Sequence, residues 1–187
     1  MTALLRFDGV TCIRGGRTLF EGMDLALLPG EALLITGPNG SGKSSLLRLA
    51  ADLLRVTSGT VEHVDAALAD DALALDRELP LGRALTFWAR LDATSPDKAL
   101  EAMGLTPLAD VPVRFLSTGQ ARRARLARVI ASGTPLWLLD EPANGLDSDG
   151  LARLDAAIDE HRGAGGAVLA ASHGVLAGDW RRLDLAS

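Results

Sequence analysis

One stretch limits the fold of this chain more than any other: "GPNGSGKS", residues 37 to 44. It fits the pattern G-x-x-x-x-G-K-[S/T]. It follows "ALLIT" (32 to 36), a short apolar run of the kind expected for a strand buried on both faces. It opens the segment from Gly42 to Leu54, where Leu46, Leu47, Leu49, Ala50, Leu53 and Leu54 recur at helical spacing. Strand, glycine loop and helix together make a phosphate cradle. Gly37, Gly40 and Gly42 allow the backbone of Pro38, Asn39 and Ser41 to curl so that successive N–H groups face phosphate oxygens. The helix amino terminus adds a favourable dipole. Lys43 would reach the β- and γ-phosphates, and Ser44 would place its hydroxyl on Mg²⁺. Lysine is scarce here: of 19 basic residues only Lys43 and Lys98 are lysines, so a lysine inside a motif carries weight.

The rest of the chain alternates in a way that suits an α/β domain. Residues 3 to 36 read as strands, with a hairpin at Gly15-Gly16 and a turn at Pro29-Gly30. From about 66 to 114 the chain is rich in Ala, Leu and Asp, and prolines at 80, 96, 107 and 112 separate short helical patches. This region reads as an inserted helical lobe. Afterwards a helix over 117–132, the strand "LWLLD", a helix over 148–162 and the strand "AVLAAS" alternate, as in a parallel sheet. The expected organisation is one domain over 1–187, with a core of about 1–65 and 133–187 and a lobe of about 66–132.

Composition narrows the partners. A net charge of −5 gives no basic footprint for nucleic acid. The single cysteine, Cys12, permits no intramolecular disulfide and suits a reducing compartment. The amino terminus lacks the pattern of a secretory signal, and no apolar run approaches the ~18 residues of a membrane span. Any membrane role is therefore expected to run through a partner.

In parallel sheets, ligands bind outside the carboxyl ends of the strands. "ALLIT" ends in the phosphate loop, "PLWLLDEP" in Asp140 and Glu141, and "AVLAASH" in His173. Three strands thus bring chemistry to one edge, although an acidic pair after a strand also serves as a cap, and a lone histidine is often structural. With the phosphate loop present, Asp140 would hold Mg²⁺ through water. Glu141 would polarise the attacking water as general base. His173 would contact the γ-phosphate and position that water.

"LSTGQ" (116 to 120) has two compatible readings. Ser117 with Gln120 three residues on forms a capping box. Arg122 and Arg123, however, crowd positive charge at the positive end of the same helix, which costs a few tenths of a kcal/mol each unless an anion is near. They are expected to matter little to the folded monomer and more to a contact with phosphate.

These words resemble the ABC ATPases. "LSTGQ" resembles the family's signature and is followed closely by "LLDEP", while "NGLD" (144 to 147) resembles its D-loop. The resemblance implies an α/β P-loop NTPase of ABC ATPase type, with an N-terminal antiparallel β subdomain and an inserted helical lobe. It implies ATP and Mg²⁺ as cofactors and a homodimer on ATP binding. In that dimer Ser117, Thr118, Gly119 and Gln120 would meet ATP held by the partner's phosphate loop, with Asp147 at the interface. His173 falls where the family's switch histidine belongs. "TCIRGGRTLF", "DVPVRFLSTGQARRARLARV" and "PLWLLDEPANGLD" narrow the resemblance to the ATP-binding subunits of the haem exporter of bacterial cytochrome c maturation. That implies integral membrane permease subunits and a peripheral place on the cytoplasmic face of the inner membrane.

The chain departs from the pattern at three points. Gln120 is its only glutamine, so the family's Q-loop glutamine is missing, and Asp71 or Ala72 falls at that place. Arg14 stands near where the family stacks an aromatic on adenine, and a guanidinium can also stack on a base. Thr118 replaces a smaller residue. Three alternatives stay open on sequence alone: the ATPase of a different ABC exporter, a regulatory ATP-binding switch with little turnover, and a DNA-repair ABC ATPase. The last normally carries a long coiled-coil insertion that a ~50-residue lobe cannot hold.

Overall fold

The computed structural model describes residues 2–91, 95–174 and 176–185. β1 (Leu5–Arg14) and β2 (Arg17–Leu27) form the expected hairpin, with Arg14 opposite Arg17. Gly15 and Gly16 turn it with φ of 56° and 77°, values that a two-residue hairpin of matching twist requires and that glycine adopts without penalty. β3 (Ala32–Thr36) then leads through the glycine loop into α1 (Lys43–Ala50). α1 is shorter than the apolar pattern to Leu54 suggested. Asp52 takes a left-handed φ of 55°, which ends the helix, and Leu53 lies 66% exposed.

β4 (Ser58–His63) pairs with β1, completing an antiparallel sheet of order β2-β1-β4. β5 (Ala66–Ala69) does not belong to the helical lobe, whose start was expected near residue 66. Instead it pairs in parallel with β6 (Leu136–Asp140), Ala69 opposite Leu139, at one edge of the main sheet. The lobe itself holds α2 (Leu81–Leu91) and α3 (Pro96–Ala102), packed on α4 (Thr118–Ser132). α5 (Ser148–Gly163) leads to β7 (Ala167–Ala171), and β8 (Arg181–Asp184) closes the other edge. The parallel sheet has the order β5-β6-β7-β3-β8.

The buried strands work on both faces, which explains their unbroken apolar runs. Leu33 and Ile35, with Leu136, Leu138, Leu169 and Ala171, pack toward α1 and the antiparallel sheet. Ala32 and Leu34, with Trp137, Leu139, Val168 and Ala170, join the opposite cluster, which includes residues of α2, α3, α4 and α5. Each such leucine contributes about 1.5–3 kcal/mol by leaving water. The sheet is therefore clamped between two cores, and its strand ends are fixed platforms for whatever lies beyond them.

Candidate functional site

The carboxyl ends of β3, β5, β6 and β7 open on one cleft of about 630 Å³. Asn39, Gly40, Gly42, Lys43 and Ser44 line it from the phosphate loop and α1. Asp140, Glu141 and His173 line it from the ends of β6 and β7, and Arg14 from the hairpin. Sequence reasoning had placed the phosphate loop, Asp140, Glu141 and His173 at one edge, and the fold brings them into one cavity with Arg14.

The loop's geometry answers to its glycines. Gly37 holds φ 140°, and a Cβ there would stand 2.9 Å from Ser41 Oγ. Gly42 holds φ 109° with Leu19 and Phe20 against it. Ser41 is buried, and its Oγ has no hydrogen-bond partner. Lys43 is buried too, and its Nζ donates to the carbonyls of Gly37 (2.8 Å) and Pro38 (3.0 Å). That ammonium, curled under its own loop, is the cation a phosphate would meet. α1 begins at Gly42 with no side-chain cap, unlike α4 and α5. Its first N–H groups are thus left to an external acceptor, and an anion is favoured there by the helix dipole.

Opposite the loop, Glu141 leaves β6 in a left-handed conformation, φ 49°, while its N–H donates to Ala171 O at 2.8 Å. Such backbone costs about 1–3 kcal/mol in a residue with a Cβ and is held in place by its surroundings. His173 N–H donates to Glu141 Oε2 at 3.3 Å, and His173 Nε2 lies 3.6 Å from Glu141 Oε1 and 3.1 Å from Lys43 Nζ. The imidazole thus bridges the lysine of one strand end and the glutamate of another.

Ser44 and Asp140 supply hard oxygen donors, which suit Mg²⁺. Among the described residues no group of three or more His, Cys, Asp or Glu side chains is arranged to hold a metal unaided. The donor set fits an ion that shares its coordination with phosphates, as Mg²⁺ usually does.

The signature residues are elsewhere. Ser117, Thr118, Gly119 and Gln120 start α4 and do not line the cleft of their own chain. The capping box is complete: Ser117 N donates to Gln120 Oε1 at 2.8 Å, and Gln120 N to Ser117 Oγ at 3.3 Å. The Ser117 oxygen accepts in that bond, so its own O–H remains free to donate. Asp147 caps α5, its Oδ1 accepting from Gly150 N at 2.8 Å.

The two arginines of α4 differ from expectation. Arg123 is half-buried, donates to Met103 O at 3.3 Å and stands 3.5 Å from Asp149 Oδ2. Arg122 lays its guanidinium on Gly145, where a Cβ would overlap it. Asp149 of α5 is the anion paired with Arg123, and Arg153 and Arg123 hold its carboxyl below its ordinary value. Both arginines thus lie against other parts of their own chain.

Leu19, Ser45 and Asn144 line the cleft but escaped the sequence reading, and Asp71 was left undecided. Asn144 lines the cleft from the turn after Glu141, and its place inside "EPANGLD" was the available signal. Of Asp71 and Ala72, only Asp71 lines the cleft.

The sequence profile of the ABC transporter family matches residues 20–144. The cytochrome c biogenesis ATP-binding export protein CcmA of Sphingopyxis alaskensis is 61% identical over 181 residues, covering 95% of this chain and 93% of that protein. The protein of the same name from Zymomonas mobilis is 50% identical over 187 residues, covering 98% of this chain and 85% of that one. Among solved structures, the ATP-binding subunit of an ABC transporter superposes with a TM-score of 0.83 at 20% identity, over 91% of this chain and 79% of that one. The phosphate loop, the acidic strand end, the capped signature helix and these likenesses agree, and the chain belongs to the ABC transporter family.

Proposed function

We propose that the chain is the ATP-hydrolysing subunit of an ABC exporter that moves haem for the biogenesis of c-type cytochromes. One observation carries the catalytic part: Lys43, Asp140, Glu141 and His173, from three separate strand ends, share one cleft. Phosphoryl transfer depends mainly on positioning and charge neutralisation, so this small set is sufficient. Backbone N–H groups of the loop and Lys43 hold the β- and γ-phosphates, and Arg14 faces the base. Ser44 and Asp140 would hold Mg²⁺, which would supply charge neutralisation at the phosphates. Glu141 takes the proton of the attacking water as its oxygen bonds to the γ-phosphorus and the bond to the β-phosphate oxygen breaks. His173, hydrogen-bonded to the Glu141 carboxylate, keeps both the water and the γ-phosphate in line.

The site is completed in a homodimer. Ser117 and Gly119 lie outside their own cleft, so their use requires a second copy, whose γ-phosphate the free Ser117 O–H and the amino end of α4 would meet. No helix among the described residues is long and apolar enough to cross a membrane. The subunit acts at the cytoplasmic face of the inner membrane, bound to integral permease subunits. What supports a role in the biogenesis of c-type cytochromes is the likeness to the two relatives, both ATP-binding export proteins of cytochrome c biogenesis.

Affinity purification from solubilised membranes tests the assignment. An integral membrane permease should co-purify, and ATP hydrolysis by that complex should respond to haem. A chain recovered with a permease that answers only to another cargo would assign it to a different exporter.

A further inference from the structure

The loop after β5 carries two adjacent aspartates that face different cavities. β5 pairs with β6 in parallel, Ala69 opposite Leu139. Continuing that register brings Asp71 across from Glu141 at the edge where the nucleotide would bind. The Asp71 side chain is fully exposed and lines the cleft with Asp140 and Glu141. Asp70 lines a different cavity, where its Oδ1 accepts from Ala72 N at 3.0 Å and Arg48 stands 4.0 Å from its Oδ2.

The loop is held from behind. Arg125 of α4 is 7% exposed and donates to Asp70 O at 2.6 Å, and its guanidinium lies 3.6 Å from Asp71 Oδ1. Arg128, one turn on, donates to Leu68 O and stacks on Trp88. Two buried arginines therefore fix the backbone on which Asp71 sits. They leave its carboxylate turned to the cleft with a single cation at one oxygen.

A fixed negative charge in a triphosphate site has a definite consequence. It repels ATP that carries no metal, and it is attracted to ATP whose phosphates hold a divalent cation. A neutral side chain at this place would do neither. Resting on the nucleotide reading of the cleft, we propose that Asp71 is a specificity-determining residue that makes the site select magnesium-bound ATP over free ATP. The selection arises from the charge of Asp71, with Arg125 anchoring the loop that presents it. For one charge acting through partly solvated space, the expected contribution to the preference is about three- to tenfold.

The test is equilibrium binding of a fluorescent ATP analogue, with excess Mg²⁺ and with EDTA, to the wild-type chain, Asp71→Asn and Asp70→Asn. Hydrolysis is not needed for the readout. Asp70→Asn makes the same change of charge one residue away but outside the cleft, so it controls for the net charge of the protein. The ratio of the two dissociation constants should fall about three- to tenfold in Asp71→Asn, chiefly through tighter binding in EDTA, and stay within about twofold of wild type in Asp70→Asn. An unchanged ratio in Asp71→Asn, or equal changes in both variants, would overturn the proposal. A wild-type chain that bound the analogue under neither condition would instead defeat the nucleotide reading itself.

Discussion

Glu141 shows at the scale of one residue how the site is made. Its left-handed φ of 49° turns the chain out of β6 and throws the carboxylate against His173. A glycine would adopt that backbone without strain, so the position keeps a side chain at a cost to stability. Glu141→Gly should therefore leave the fold as stable as wild type or more stable, by up to about 1–2 kcal/mol in urea denaturation, while hydrolysis is lost. A loss of stability in that variant would mean that the Glu141 contacts to His173 outweigh the strain. The strain was invisible in the sequence. "LLDEP" names an acidic residue after a strand, but φ is set by the turn that Pro142 and the ladder bond to Ala171 impose together.

At the scale of the element, α4 joins several parts of the molecule. Its first turn holds the capping box, Arg122 rests on Gly145, Arg123 reaches Asp149 and Met103, and Arg125 and Arg128 grip the loop and strand at Leu68–Asp71. Ser117 and Gln120 were legible as a box because three-residue spacing is a local rule. The arginine contacts were not, since their partners lie on α3, α5 and β5, far away in sequence. Arginine at a helix amino end looked like a site waiting for an outside anion, whereas Asp149 of the same chain fills that role for Arg123. Ser117→Ala should cost about 1 kcal/mol of monomer stability, the usual value of a lost cap. It should also abolish ATP-dependent dimerisation of the Glu141→Gln background, read by light scattering. A monomer weakened by that amount but dimerising normally would leave Ser117 as a cap alone.

For the whole molecule, the sequence was most informative where strands are buried on both faces. β3, β6 and β7 announce themselves as apolar runs, and their ends predicted the cleft. The edges were poorly marked. β4 is mostly polar and exposed, β8 is "RRLD", and β5 is only four residues at the border of the helical lobe, so pairing rather than pattern makes them strands. For the same reason Asp71 could not be chosen over Ala72 until the register of β5 on β6 was known. The sheet is clamped between two cores, the cleft lies at its strand ends, and the capped amino end of α4 does not line that cleft. Under the proposed homodimer, that separation leaves Ser117 and Gly119 for the cleft of a second copy. The most direct test of the account is steady-state ATP hydrolysis by the wild-type chain and by Glu141→Gln, with nucleotide affinity measured on the same samples. Loss of the general base should lower the rate by about 10²–10⁴-fold while ATP binding is kept. Equal, near-background rates in both proteins would contradict it and leave a nucleotide-binding switch in place of an ATPase.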